Sequence, residues 1–103
     1  MLELRPLCEH CAVALPPASP DARICSFECT FCADCADTLL QRVCPNCSGN
    51  LAQRPIRPAE DWTGGGNTLR QHPATTTIKH RPADLAAHAE LLRRLAGTPP
   101  QAR

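Results

Sequence analysis

The sequence has no tyrosine, and its aromatic side chains are Phe27, Phe31 and Trp62 alone. A chain of 103 residues so poor in large rings cannot fill an ordinary core, so something besides apolar burial must reinforce it. No stretch approaches the roughly 20 apolar residues that cross a bilayer, so no membrane-spanning helix is expected. The start, MLELRPLCEHCAVALPP, has no basic opening, no sustained apolar run and no small-residue cleavage site. A secretory signal is therefore not expected, and a reducing, cytoplasmic setting is. Glycine is missing before Gly49 and cysteine is missing after Cys47. That double break predicts a compact cysteine module followed by a loosely organised tail; the expected division is a cysteine-rich module over 1–58, a flexible Gly/Pro/Thr-rich linker over 59–82, a helix over 83–96 and a disordered end over 97–103.

What is present in quantity is cysteine, eight residues between Cys8 and Cys47. Several chemistries compete for them. In ICSFECTFCADC, Cys25, Cys29 and Cys32 have the spacing of a radical-SAM iron-sulfur motif, but such enzymes need a far larger barrel. Extended to Cys35, the cluster also suits a ferredoxin-like ligand set. An even count suits disulfides in an exported protein, whereas clustered thiols in a reducing compartment point to metal or redox chemistry. The cysteines fall into four pairs: Cys8 and Cys11, Cys25 and Cys29, Cys32 and Cys35, Cys44 and Cys47. Eight thiolates complete two tetrahedral all-cysteine zinc sites, and closed four-ligand sites are structural rather than catalytic. In CPNCSG, Pro45 pre-sets the turn and Gly49 relieves crowding where the chain folds back.

This order of pairs resembles the RING finger, with Cys29 standing where that family commonly has histidine. The resemblance covers residues 8–47 and implies a small metal-stabilised α+β fold, a cross-brace with a short hairpin and one short helix. It implies two Zn²⁺ ions, one on Cys8, Cys11, Cys32 and Cys35 and the other on Cys25, Cys29, Cys44 and Cys47. RING fingers also dock ubiquitin-conjugating enzymes. At the contact positions this chain has His10 where an aliphatic residue is usual, Leu39 on the helix, and Ser48 where a basic residue is common. A second resemblance rests on MLELRP, ARICSFECTFCADC and CPNCSGNLAQRPIRP. These segments are similar to a family of short bacterial cysteine-rich proteins known only as a domain of unknown function.

Around the ligands, RICSF and CTF read as two strands joined near Glu28, with Ile24, Phe27 and Phe31 as filling residues. CADTLLQRV reads as a short helix that turns Leu39, Leu40 and Val43 toward the metals. ALPPASPDA is a stiff connector. In the tail, Thr75 to Ile78 suits an edge strand. From 83 to 96, Leu85, Ala89, Leu92 and Leu95 recur at helical spacing, with Asp84 before them and Gly97 and Pro99 after. That leucine face needs a cover, either the module, a second copy or a protein partner. His72, His80 and His88 are expected at the surface, and His10, between two cysteines, is the one histidine weighed as a substitute ligand.

Charge narrows the partners. Residues 1–47 carry three arginines against six acidic side chains, a balance of −3, which eight thiolates and two Zn²⁺ lower to about −7. Residues 48–103 carry eight basic against four acidic side chains, a balance of +4. The module would repel phosphate, and the tail lacks interleaved aromatics, so nucleic acid is not an expected partner. Arg54 and Arg57 of QRPIRP are read as solvated, with folding back onto the acidic module as the rival reading. No nucleophile with a base, no paired carboxylates and no open metal position is apparent. The expectation is a non-enzymatic structural zinc-binding protein that presents a surface to an unidentified protein partner, with self-association through the C-terminal helix a further option. The rivals are a zinc-thiolate redox sensor that releases metal on oxidation, and RING-type ubiquitin-ligase-like activity.

Overall fold

Short runs of small, β-branched and aromatic residues on either side of Cys25 to Cys29 form a hairpin in the computed structural model, which describes residues Met1–Arg103. β1 (Ala22–Ile24) pairs antiparallel with β2 (Thr30–Cys32), in a register that sets Arg23 opposite Phe31 and Ile24 opposite Thr30. The turn between them closes where the Glu28 N–H donates to the Cys25 carbonyl at 3.0 Å, with Glu28 at φ 68°. A strand the sequence did not announce, β3 (Ala52–Gln53), pairs antiparallel with the other edge of β1, giving the order β2-β1-β3. Two residues are too few to show an alternating pattern, so only the structure reveals β3.

Phe31 is buried as expected, but Phe27 is 72 % exposed at the hairpin tip. It sits in the loop between Cys25 and Cys29, outside the paired strands, where no neighbouring layer covers it. CADTLLQRV forms one wide π-type turn, Cys35–Leu39, in place of a longer helix. The Leu40 N–H donates to the Cys35 carbonyl at 2.9 Å, and Gln41 and Arg42 then adopt left-handed φ values of 51° and 61°. That reversal carries the chain back toward Cys44. It buries Leu40 and Val43 but leaves Leu39 42 % exposed, correcting the inward placement expected for it.

The main buried cluster has eleven residues, and five are cysteines: Cys8, Cys25, Cys32, Cys35 and Cys44. Phe31 is its one aromatic ring. Nearly half of the residues in this cluster are thus cysteines, as the scarcity of rings demands.

The tail runs back over this module. Arg57 donates to the Leu2 carbonyl at 2.8 Å, and the Arg81 N–H donates to the Glu9 carbonyl at 2.8 Å. Thr75 to Ile78 forms no strand, and Ile78 is exposed. There the Thr77 N–H bonds the Thr75 hydroxyl at 3.2 Å, a local bond that competes with pairing. α1 spans Leu85–Leu95; the Asp84 carboxylate caps it by accepting the Ala87 N–H at 3.0 Å, and Arg93 and Arg94 favour its C-terminal dipole. Its inner face is His88, Leu91, Leu92 and Leu95, whereas Leu85 and Ala89, expected inside, are exposed. The rotation follows from His88, which is 3 % exposed instead of at the surface, and whose Nε2 donates to the Leu40 carbonyl at 2.8 Å. Residues 100–102 form a 3₁₀ turn, and Arg103 donates to the Ser48 carbonyl at 3.1 Å. No helix is long and apolar enough to cross a membrane.

Candidate metal centre

The first and last cysteine pairs stand on the same backbone frame, 36 positions apart. Cys8 N–H donates to the Val13 carbonyl at 2.9 Å, and Cys44 N–H to the Gly49 carbonyl at 2.8 Å. Ala12 N–H donates to the Cys8 carbonyl and Ser48 N–H to the Cys44 carbonyl, both at 2.9 Å. Leu15 N–H meets the Pro6 carbonyl at 2.7 Å, and Leu51 N–H meets the Arg42 carbonyl at 3.0 Å. Antiparallel bridges between Leu7 and Ala14 and between Val43 and Asn50 close the two frames. In each, the residue after the second cysteine is left-handed, Ala12 at φ 64° and Ser48 at φ 65°. This fold-back aims both sulfurs of a pair the same way and turns backbone N–H groups toward them. Cys11 N–H lies 3.5 Å from Cys8 Sγ, and Gly49 N–H lies 3.3 Å from Cys47 Sγ. A Cβ at Gly49 would itself stand 3.3 Å from that sulfur, so glycine permits the approach.

The frames deliver sulfurs to two groups. Cys8, Cys11, Cys32 and Cys35 have all their Sγ atoms within 4.8 Å of one another, and so do Cys25, Cys44 and Cys47. Cys29, expected with the second group, is outside that mutual distance; it packs against the core near enough to Cys44 for its charge to push that thiol up. The groups interleave, since Cys25 lies between Cys11 and Cys32 in the chain while its companions come last. The Cys11 and Cys32 sulfurs are 3.8 Å apart. Two sulfurs each about 2.3 Å from a tetrahedral zinc stand about 3.8 Å apart, so this edge suits that ion. Both groups could hold a metal.

Burial first, and then neighbouring cysteines, push the Cys35 thiol well above the ordinary thiol range. Cys44 is raised by burial as well, with the charges of Cys29 and Cys25 adding to it and N–H donors at Asn46 and Cys47 opposing it. Cys32 is raised, again chiefly by burial. At Cys8 burial acts upward too, but N–H groups from Cys11, Cys32 and His10 outweigh it and bring the thiol down. Burial thus favours the protonated form at Cys32, Cys35 and Cys44, and a divalent cation would displace those protons.

His10 is turned away from such a role, because its Nδ1 accepts the Ala83 N–H at 2.9 Å. Three supporting residues were not legible. Glu9 is buried; its Oε2 accepts the Thr30 N–H at 2.7 Å and pairs with Arg5 Nη1 at 3.0 Å, tying the first frame to β2. Arg54 is 1 % exposed, so the solvated reading fails for it. Its guanidinium donates to the carbonyls of Arg5 and Pro16 at 3.0 Å and of Leu15 at 3.4 Å, with no carboxylate partner, and burial lowers its pKa. His88 is the third. The one signal for Arg54 was the opposite charge of tail and module.

Residues 1–57 match the profile of a family described as a protein of unknown function, DUF1272. The chain belongs to that family. It is 51 % identical over 86 residues to an uncharacterized protein of Rhizobium meliloti (strain 1021), a match that covers 84 % of this chain and 94 % of that one. The DUF1272 profile ends at residue 57, so it includes both frames and Arg54 and stops short of α1. No solved structure matches the chain.

Proposed function

We propose that this DUF1272 chain is a non-enzymatic structural zinc protein, with two interleaved sites in a RING-like cross-brace that hold a rigid surface for protein contact. The observation that carries the reading is the convergence of Cys8, Cys11, Cys32 and Cys35 with a sulfur edge of zinc-site length. Cys29, packed against the core near Cys44, is the fourth ligand that the reading assigns to the second site. Each loaded site is a dianion of four thiolates and Zn²⁺, and the buried Arg54 guanidinium, with no carboxylate of its own, supplies compensating charge in the same interior. When bound, the ions contribute folding energy, and all four positions on each are filled by the chain, leaving no place for a substrate.

The ligase-like alternative is weakened by the tail. Two of the three positions that the RING resemblance would assign to a conjugating enzyme are engaged within the chain: His10 by Ala83, and Ser48 by Arg103. Native mass spectrometry of protein purified without added metal tests the zinc reading. Two zinc ions per chain are expected, and metal-free protein that stays folded would refute it. Cys8→Ser and Cys32→Ser should weaken one ion, and Cys25→Ser and Cys44→Ser the other.

A further inference from the structure

The two sulfur groups are not equally protected. Cys11 is the exposed cysteine; Cys29 and Cys47 are half-buried and the other five are buried. Cys11 and Cys32 line a cleft of about 640 Å³ whose walls also carry Asp21, Asp34 and Asp37. Backbone N–H groups draw charge from four sulfurs: Cys8 from Cys11, Cys32 from Cys35, Cys44 from Asn46 and Cys47 from Gly49. Cys11 Sγ has no such donor, and the Cys32 sulfur lies 3.8 Å from it. A thiolate that is open to solvent and undamped by N–H groups is the most reactive of a set. Cys47, by contrast, lines a cleft shared with α1, between the second frame and His88.

Building on the zinc reading, we propose that Cys11 is an oxidation site at which a neutral peroxide opens the first zinc centre, with Cys32 as the resolving thiolate. Cys11 Sγ attacks one peroxide oxygen, the O–O bond breaks, hydroxide leaves, and Cys11 becomes a sulfenic acid. Cys32 Sγ then attacks the Cys11 sulfur, forming the disulfide and expelling a second hydroxide. Two electrons pass from the thiolate pair to the peroxide, and the negative charge of the pair leaves on the two hydroxides. Zinc keeps Cys8 and Cys35 only and dissociates. The oxidant class follows from the walls. Asp37 is paired with Arg42 at 3.1 Å, while Asp21 and Asp34 have no ion-pair partner. Beside a dianionic zinc centre they repel anionic disulfides such as oxidised glutathione and leave an uncharged peroxide unhindered.

The test treats the reduced, zinc-loaded full chain with hydrogen peroxide, follows zinc with a chromogenic chelator, and maps disulfides by peptide mass spectrometry. One of the two zinc ions should leave in a fast phase whose first disulfide joins Cys11 to Cys32, with the second ion at least about tenfold slower. Oxidised glutathione should be slower than peroxide, and D21N/D34N should narrow that gap. The C11H variant keeps a nitrogen ligand but nothing to oxidise, and should lose the fast phase. Simultaneous loss of both ions, a first disulfide elsewhere, or a fast phase that survives in C11H overturns the assignment. If the reduced chain carries no zinc, the proposed function fails, while the order of disulfide formation still judges Cys11 and Cys32.

Discussion

The Cys8 and Cys44 frames make the same backbone hydrogen bonds at the same offsets, yet what surrounds them differs. The first is anchored by the buried Glu9 carboxylate on Thr30 and Arg5, with the tail adding only the Arg81 and Ala83 N–H groups on Glu9 and His10, and its sulfurs face an open acidic cleft. The second is anchored from outside, by α1 and Arg103, and lies under the tail. The frame is therefore a local solution to aiming two sulfurs, whereas protection of the sulfurs is set by whatever the rest of the chain lays against them. One frame is held by a charge pair and the other by a removable helix, which suggests experiments that should separate them.

Metal removal should erase the comparison and has the largest effect. Structural zinc contributes roughly 10 to 16 kcal/mol of apparent binding free energy per site in zinc-finger peptides, more than this small core can replace. A strong chelator under reducing conditions should unfold residues 1–57 once the second ion has followed the first; circular dichroism beside zinc release would show it. A module that stays folded after losing both ions would refute that dependence. Acid should act through the same sites. Zinc must displace protons from thiols such as Cys35 and Cys44, which burial pushes up, so metal is lost as pH falls.

Next in size is Glu9→Ala, which strikes the first frame alone. It leaves the buried Arg5 with only the half-exposed Glu3 carboxylate, 3.5 Å from its Nε, and the Thr30 N–H without an acceptor, a loss of roughly 2 to 4 kcal/mol. In denaturant titration of the zinc-loaded protein the midpoint should fall, with the first zinc weakened before the second. His88→Ala strikes the other frame by freeing the Leu40 carbonyl and the inner face of α1, at roughly 1 to 3 kcal/mol. Both ions should stay bound while cleavage by trypsin at Arg93 and Arg94 accelerates. Unchanged proteolysis would mean that the helix is held without His88.

How much of this was legible follows from the range of each signal. The pairs and the caps of α1 are written in local spacing and in Asp84 and Gly97, so the sequence exposes them, whereas the interleaving of the pairs came only with the RING resemblance. Phe27 and Leu39 were placed inward because an apolar residue beside a ligand usually points in. Here the hairpin tip and the wide turn present them to solvent, and backbone geometry outranks hydropathy. His88 and Arg54 were missed for a different reason. Each serves carbonyls far along the chain, Leu40 for one and Arg5, Leu15 and Pro16 for the other, and an orphan carbonyl leaves no mark in a sequence. Cys29 is intermediate: the resemblance names it, but its sulfur lies outside the mutual distance of Cys25, Cys44 and Cys47, and it follows a left-handed Glu28.

The smallest effect tests whether the two frames are one device. Ala12 and Ser48 occupy equivalent left-handed positions at φ 64° and 65°, a conformation that costs a side-chain-bearing residue roughly 1 kcal/mol relative to glycine. Glycine relieves that strain and gives back part of it through a freer unfolded chain. Ala12→Gly and Ser48→Gly should each stabilise the zinc-loaded protein by up to about 1 kcal/mol, by nearly equal amounts and additively. Thermal midpoints of the two single variants and the double variant provide the measurement. If Ser48→Gly gained much less, the Ser48 carbonyl would depend on its bond to Arg103 for its placement, and the second frame would owe its shape to the tail instead of to its own sequence.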